Sequence, residues 1–247
     1  DSIYWYMSLN MNLIYNFSDV KSYDSTYQPS LNDLYKIFPE IYVSPQIWHI
    51  TKPELIDFLS VKYAVVTKIE ELPHQNFEMI GKYRDFYVYK NNSYRPIIQN
   101  GTETISYDQI AQPFNLYSHN LIISKNEELS IIKEYLMEQS IISIENVNLY
   151  QNMLIGTINT SSPTFLVSSI AFDKGWRVYI NNQEVRTFSV NGGFLGFPTK
   201  TGFQDVKLYF VPVGFKEGVI VSGLSILIYI FYFIYYKLFN NVTIKRG

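Results

Sequence analysis

An uncharged stretch near the carboxyl terminus constrains this chain more than any other feature. Residues 218–236, GVIVSGLSILIYIFYFIYY, contain no charged side chain. As an α-helix, these nineteen residues would extend about 28 Å, close to the hydrocarbon thickness of a bilayer. A core helix of a soluble protein usually carries a polar stripe and seldom stays uncharged over such a length. The stretch is therefore predicted to be a transmembrane helix in contact with the lipid bilayer.

The residues after this stretch predict its orientation. Lys237, Lys245 and Arg246 give residues 237–247 a charge of +3 without any acid, and since the whole chain carries −2, the first 236 residues carry −5. Segments on the cytoplasmic side of a membrane helix are enriched in Lys and Arg. We expect a basic cytoplasmic tail at 237–247 and an extracytoplasmic position for residues 1–216.

Small side chains lie on one face of the predicted helix. Gly218, Ser222 and Ser225 recur at spacings of four and three, which lets helix backbones approach closely in lipid, although Gly and Ser are common enough for the pattern to arise by chance. The chain also begins at Asp1, without Met and without the pattern of a signal peptide. We expect a piece of a longer polytopic protein whose other transmembrane helices pack against this face, unless a signal peptide has been removed.

Composition excludes several kinds of site. The chain has no cysteine, which rules out disulfide scaffolds, cysteine zinc sites, thiol nucleophiles and iron–sulfur clusters. His49, His74 and His119 are far apart and lack the spacing of metal ligands, so no metal site is expected. The net charge gives no basic footprint for nucleic acid. No nucleophile elbow, phosphate loop or calcium loop is present, so we assign no catalytic residue and no cofactor to this chain.

The first part of the chain, residues 1–140, mixes helix and strand signals. Capping boxes at 30–33 and 124–127 predict helices, the second reaching about residue 139, and Pro53 predicts another helix start. Residues 61–67 are rich in β-branched and aromatic side chains and predict a largely buried strand. Residues 77–82 and 86–90 flank a charged link and predict a hairpin.

Residues 141–213 predict a run of consecutive strands. The pattern indicates strands at 141–150, 153–160, 164–172, 176–180, 185–190 and 206–210. Apolar and polar residues alternate at 176–180 and 206–210, and 164–172 is apolar on both faces. Asn181-Asn182 suits a tight turn, with 185–190 expected to pair with 176–180. So many short strands predict an antiparallel β-sandwich. The predicted class is α+β: a mixed α/β exterior region at 1–140, a sandwich at 141–213, a transmembrane helix at 218–236 and the tail.

Several segments resemble, in order, those of the YfhO-like family of bacterial membrane proteins. The C-terminal ones are DKGWRVYI at 173–180, NGGFLGFP at 191–198, and YFVP at 209–212 followed by Gly218 and Ser222. Upstream, LSVKYAVV at 59–66 is similar to the family's L-G-V-K-Y strand, with Ser60 where the family usually has Gly. VYKN at 88–91 with Pro96 is similar to a further motif, and SYDS at 22–25 is a weaker match.

The resemblance implies a function for the parent protein. The family is similar to GT-C glycosyltransferases of the bacterial plasma membrane, which transfer sugar from a polyprenyl-phosphate donor outside the membrane, in this family to envelope polymers such as lipoteichoic acid. Their catalytic acid lies in an early exterior loop, which this chain does not contain. The resemblance thus implies an exterior accessory domain and a final transmembrane helix, with the catalytic part elsewhere.

Four residues are candidates for contact with substrate. Trp176 could stack on a sugar ring while Asp173 and Lys174 hold hydroxyls, although a core tryptophan preceded by an ordinary turn explains the same residues. Asp24 could face a substrate groove or belong to a polar loop. Two other functions remain open: a single-pass membrane-anchored module that binds cell-envelope glycan without enzymatic activity, and a structural role in a transporter or flippase complex.

Overall fold

The structure, a computed structural model, describes residues 60–66, 76–110, 121–138, 140–150 and 152–243, together with Asp57 and the short paired segments Val43–Ser44 and Ile47–Trp48. The predicted helix after 30–33, Asp24 and the three histidines lie outside the described residues. Of the helix predicted from Pro53, only Asp57 is described, and it is helical.

The described residues form mostly β-strands. In chain order these are β1 (Val43–Ser44), β2 (Ile47–Trp48), β3 (Tyr63–Val66), β4 (Phe77–Tyr83), β5 (Phe86–Asn91), β6 (Ile98–Asn100), β7 (Glu103–Ser106), β8 (Leu121–Ser124), β9 (Glu145–Leu149), β10 (Met153–Thr160), β11 (Thr164–Ala171), β12 (Trp176–Ile180), β13 (Gln183–Val185), β14 (Phe188–Val190), β15 (Phe194–Thr199) and β16 (Gly202–Phe210). Two α-helices are described, α1 (Asn126–Lys133) and α2 (Phe215–Thr243), with a short 3-10 turn at Tyr107–Gln109.

Two antiparallel sheets form the centre of the fold. The first has five strands in the order β13-β12-β16-β10-β9, and the second has four in the order β14-β15-β11-β6. Along β16, Gln204, Val206 and Leu208 are buried and alternate with outward-facing residues, as expected for a strand with one covered face. Eleven buried residues from both sheets and their connections make one hydrophobic cluster: Ile98, Ile144, Leu154, Ile158, Leu166, Val178, Ile180, Leu195, Phe197, Val206 and Leu208. Burial of each such side chain stabilises the fold by about 1.5–3 kcal/mol.

A second cluster joins the four-stranded sheet to earlier residues. It combines Phe165 and Phe188, whose rings meet edge to face at 5.5 Å, with Ile122 and Ile123 of β8 and Ile132 of α1. Strand β8 pairs in parallel with β7. Since β6 also pairs with β11, strand pairing crosses residue 140. The predicted domain boundaries, the sandwich and the α/β description of residues 1–140 stay predictions.

Strong local signals placed several elements correctly. The hairpin of β4 and β5 is confirmed, with Tyr83 opposite Phe86. The predicted strand at 153–160 matches β10. Asn181 and Asn182 form the predicted tight turn with φ of 48° and 65°, which Asn tolerates better than most residues.

Four local predictions were wrong. Helix α1 ends at Lys133 rather than near 139, because the next residues make shorter-range backbone bonds and Leu136 then bridges to Thr164 of β11. The capping box at 124–127 is also wrong: the N-cap is Lys125 without a side-chain cap, and the Ser124 hydroxyl instead donates to Glu128 at 3.0 Å.

The predicted strand at 185–190 is divided between the two sheets. Gln183–Val185 pairs with β12, as expected for that hairpin, but Phe188–Val190 pairs with β15 in the other sheet. Phe188 and Val190 are 1% and 0% exposed there, so burial of these side chains outweighs continued pairing with β12.

The fourth error concerns the burial of β3. Its strand is present, but Tyr63 is 51% exposed and Val65 37% exposed, while Val66 is buried. β3 is the edge of a three-stranded sheet in the order β3-β5-β4, and alternate side chains of such a strand face away from the core.

Helix α2 confirms the predicted apolar helix and begins slightly earlier, at Phe215. Its segment Phe215–Leu238 has a mean hydropathy of 2.1, and none of that segment is buried against the described part of the protein. Its length and composition suit a helix that crosses a membrane.

Candidate membrane-proximal site

One end of the five-stranded sheet leads directly into α2 and brings three segments together. Strand β16 ends at Phe210, and α2 begins at Phe215. The Val211 N–H donates to the carbonyl of Gly175 at 3.0 Å, and the Phe210 N–H donates to the carbonyl of Asn152 at 2.8 Å. The turn at 173–175, the turn between β9 and β10, and the connection to α2 therefore lie side by side.

The turn at 173–175 is closed by its own polar groups. Oδ1 of Asp173 accepts a hydrogen bond from the Gly175 N–H at 2.6 Å, and the carbonyl of Asp173 accepts from the Trp176 N–H at 3.1 Å. A Cβ on Gly175 would lie 2.4 Å from the Val211 carbonyl oxygen, so only glycine fits against this strand. The turn is thereby held against the segment that precedes α2.

The three described candidates from sequence are neighbours in this turn. Trp176 is half-buried, and its ring lies 5.1 Å from that of Phe210 at an interplanar angle of 51°. Lys174 is exposed. Asp173 is also exposed, and one of its carboxylate oxygens accepts the hydrogen bond that closes the turn. Contact of these residues with sugar stays a prediction, and Asp24 lies outside the described residues.

The outward face of the five-stranded sheet adds polar and aromatic groups that the sequence reading did not assign to a site. Arg177 lies opposite Tyr209, and Tyr179 opposite Lys207. Arg177 pairs with Glu184 at 3.5 Å, and the Lys207 ammonium lies 5.8 Å from the Tyr209 ring centroid. The sequence feature that could have identified these residues is the alternation of polar and apolar side chains along β12 and β16. Alternation separates outward from inward residues, but it does not show which strands are adjacent.

Buried asparagines connect the sheets to their surroundings, and sequence reasoning missed their role. Asn191, 2% exposed, accepts a hydrogen bond from the Ile123 N–H through Oδ1 at 2.6 Å and donates to the Leu121 carbonyl at 3.3 Å. Asn100, 1% exposed, accepts from the Ile142 N–H at 2.8 Å and donates to the Ser140 carbonyl at 2.9 Å. Each side-chain amide thus pairs with backbone groups of a neighbouring segment.

Asn91 has the same role in the three-stranded sheet. Its side-chain amide donates to the Asp57 carboxylate at 2.7 Å and to the Val61 carbonyl at 3.0 Å. Its backbone N–H donates to the Lys62 carbonyl at 2.8 Å. Asp57 also accepts from the Ser93 hydroxyl at 3.0 Å. The two upstream segments quoted above, 59–66 and 88–91, are adjacent because β3 pairs with β5, and Asn91 extends that contact to Val61 and Lys62.

Glu138 is a buried carboxylate surrounded by hydroxyl and amide donors. The hydroxyls of Ser140 and Ser161 donate to it, as do their backbone N–H groups at 3.2 and 3.3 Å. These hydrogen bonds, above all that from the Ser140 hydroxyl and then that from Ser161, lower the pKa of Glu138 from 4.5 to about 2. The carboxylate therefore holds the segment after α1 to the β10–β11 connection.

This depressed pKa predicts a dependence of stability on pH. The ionised Glu138 contributes its stabilisation fully above pH 4.5, and that contribution is lost as the pH falls from 4.5 towards 2. Glu138→Gln should therefore have a lower unfolding midpoint than wild type at pH 6. At pH 3 the difference in midpoint between the two proteins should be smaller. Thermal melts in mild detergent at the two values check this. The exposed Glu134→Gln should stay close to wild type, and an equal loss for Glu138→Gln at both pH values would contradict the assignment.

No group of three or more His, Asp or Glu side chains suited to a metal ion occurs within the described ranges. The three histidines lie outside those ranges, so the expectation that the chain has no metal site stays a prediction.

Comparison with known proteins agrees with the resemblance seen in the motifs. The model of the family described as "Bacterial membrane protein YfhO" matches residues 132–222. The chain is also 24% identical over 153 residues to "Uncharacterized protein YfhO" of Bacillus subtilis (strain 168). Over residues 132–222 the chain is therefore similar to YfhO-like proteins. The matched family is described as a bacterial membrane protein, and the described residues of this chain include one candidate membrane-spanning helix, Phe215–Leu238. No solved structure matches the chain significantly.

The YfhO match has a defined place in this fold. It begins at Ile132 in α1 and ends at Ser222 in α2, so it includes β9 to β16, the turn at 173–175 and the connection into the helix. The match to the Bacillus protein covers 59% of this chain but only 18% of that protein.

Proposed function

We propose that this chain is the exterior accessory domain and final transmembrane helix of a polytopic YfhO-like protein that resembles GT-C glycosyltransferases. In this proposal the parent protein transfers sugar from a polyprenyl-phosphate donor to a cell-envelope polymer such as lipoteichoic acid. Residues 1–216 lie outside the plasma membrane and the basic C-terminus lies in the cytoplasm, in keeping with the charge distribution.

The observation that carries the proposal is the backbone hydrogen bond between Gly175 and Val211. Val211 precedes Phe215 by four residues, so the two residues are at most about 14 Å apart. The exposed Lys174 and the edge of Trp176 are thus close to the start of α2. A polyprenyl-phosphate keeps its phosphate in the headgroup region, so a cation and an aromatic edge at this height suit a donor or acceptor at the membrane surface.

The role of these residues is positioning rather than bond making. A carboxylate in the missing part of the protein activates the acceptor hydroxyl, and polyprenyl phosphate leaves. Lys174 and Trp176 hold the sugar-bearing partner in line for that step, and correct orientation can account for several orders of magnitude in rate. The chain itself needs no cofactor for this role.

The helix α2 completes the proposal through its small-residue face. No described heavy atom lies within 4 Å of a Cβ added at Gly218, and the Ser225 hydroxyl donates back to the Val221 carbonyl at 2.8 Å. Gly218, Ser222 and Ser225 thus form an open face of small residues, which suits close packing against another transmembrane helix of the parent protein.

A second candidate function is a membrane-anchored module that binds envelope glycan without catalysis. The outward face of the five-stranded sheet favours it, because Tyr179 and Tyr209 alternate with Arg177 and Lys207 on an open surface. Aromatic faces and charged donors are the groups with which proteins contact sugars. The sequence upstream of Asp1 in the gene separates the two functions: many hydrophobic spans favour the transferase, and a lone signal peptide favours the module.

The proposal is tested by deleting residues 1–212 from the full-length gene and measuring sugar on the envelope polymer. Loss of the sugar is expected, provided that the truncated protein reaches the membrane at a normal level. Unchanged glycosylation would show that the exterior domain is dispensable for transfer.

A point variant sharpens this test. Lys174→Ala should lower sugar transfer by roughly 10- to 100-fold, since a hydrogen bond from a charged group contributes about 1.5–3 kcal/mol and each 1.4 kcal/mol is tenfold. Lys200→Ala is the matched control, because Lys200 is also exposed but lies just before β16, at the end away from α2. Equal transfer by the two variants at equal protein level would remove Lys174 from the site.

A further inference from the structure

Exposed apolar side chains gather at the end of the five-stranded sheet that leads into α2. Leu149 and Tyr150, at the turn between β9 and β10, are 58% and 55% exposed, and Val213 and Phe215 are 74% and 58% exposed. We refer to these four residues as the apolar rim. Such side chains gain about 25 cal/mol for each Å² removed from water, so a covering partner would stabilise them.

Strand pairing places both halves of the apolar rim together. The Tyr150 N–H donates to the Met153 carbonyl at 2.8 Å, and Met153 lies opposite Tyr209 on β16. The neighbouring Asn152 carbonyl accepts from Phe210 at 2.8 Å. Phe210 precedes Phe215 by five residues, at most about 18 Å of extended chain. The turn that carries Leu149 and Tyr150 is therefore close to the first residue of α2.

The surface of α2 indicates what covers the apolar rim. Val213 and Phe215 continue into a helix whose apolar side chains are exposed on all sides, as suits a lipid environment. Tyrosine is enriched where a membrane meets water. Lys174, in the adjacent turn, and Lys216, at the start of α2, are exposed cations near the same level, suited to lipid phosphate.

We propose that the apolar rim rests on the surface of the bilayer that α2 crosses, with Leu149 and Tyr150 among the lipid headgroups and Lys174 at the phosphates. The β-sheets then have a second membrane contact besides α2, and this contact sets their tilt. The inference goes beyond the proposed function: it requires that α2 spans a bilayer, and it does not require sugar transfer.

The absence of natural cysteine allows a direct test on this chain. Tyr150→Cys carries a nitroxide label in chains reconstituted into vesicles of phosphatidylglycerol and phosphatidylcholine. Phe203→Cys is the matched control, because Phe203 is 68% exposed and lies six residues, roughly 20 Å, from Tyr209 along β16. Ile226→Cys, within α2, reports the span itself.

The measurement is the ratio of label relaxation by oxygen, which concentrates in lipid, to relaxation by a water-soluble nickel complex. The ratio should be severalfold higher at 150 than at 203 and high at 226. Leu149→Cys should agree with Tyr150→Cys, so that the result does not depend on one substitution. Near-ultraviolet circular dichroism confirms that each labelled chain is folded.

The possible results separate this inference from the proposed function. Equal, water-like ratios at 150 and 203 with a lipid-like ratio at 226 would overturn the inference while leaving the span intact. Lipid-like ratios at both 150 and 203 would overturn it as well, because the sheet would then lie flat on the membrane. A water-like ratio at 226 would overturn the membrane span, and with it both proposals.

Discussion

Gly175→Ala is expected to lower the free energy of unfolding by about 3 kcal/mol, at the upper end of the usual cost of overpacking. The added Cβ would lie 2.4 Å from the Val211 carbonyl oxygen and 2.8 Å from Cε2 of Phe210. The first of these atoms belongs to the backbone, and the Val211 N–H donates a hydrogen bond to the Gly175 carbonyl. Neither segment can therefore move away without losing that hydrogen bond. Urea unfolding of the chain in mild detergent, followed by tryptophan fluorescence, measures the loss.

Gly81→Ala is the matched control for this prediction. Gly81 lies in β4, no atom is within 4 Å of a Cβ added there, and its φ is not positive. It should change stability by no more than about 0.5 kcal/mol. Similar losses for the two variants would show that the cost belongs to glycine replacement in general rather than to contact with Val211.

Asn191→Ala is expected to cost about 3 kcal/mol through two separate effects. The buried Ile123 N–H would lose its side-chain acceptor, which costs about 1–3 kcal/mol. Asn191 also has φ of 53°, and alanine in that conformation costs roughly a further 1–2 kcal/mol. The same urea unfolding experiment measures the sum, and the α1–β8 region should lose protection from hydrogen exchange first.

Asn182→Ala isolates the backbone part of that cost. Asn182 has φ of 65° in the tight turn but is exposed. It should therefore show the cost of positive φ without the loss of a buried hydrogen bond. If Asn182→Ala destabilised the chain as much as Asn191→Ala, the hydrogen bond to Ile123 would contribute nothing measurable.

The elements predicted well from sequence are those whose cause is local. The turn at Asn181 and Asn182 follows from residues that tolerate positive φ, and the β4–β5 hairpin from two β-rich runs around a short polar link. Failures occurred where distant partners decide. Phe188 packs against Phe165 in the core of the other sheet instead of pairing with β12. Helix α1 ends before Leu136, which forms a β-bridge with Thr164.

The candidate site shows the same division. The sequence singled out Asp173, Lys174 and Trp176 as neighbours along the chain, and Asp173 and Gly175 form the turn that was the alternative explanation. It could not reveal that this turn is bonded to the strand before α2, or that Leu149 and Tyr150 lie at the same end. Those facts depend on pairing between strands far apart in sequence.

By itself, the sequence determined that an apolar helix suited to a membrane lies near the carboxyl terminus. The length and lack of charge of this run favour lipid over water whatever else the run contacts. It also determined the short turns and most of the strands, whose patterns are local. Only the tertiary structure decided which strands are adjacent and which turn lies beside the start of α2. The free energy of those pairings comes from shared burial and backbone hydrogen bonds between distant segments, and neither quantity is a property of one segment alone.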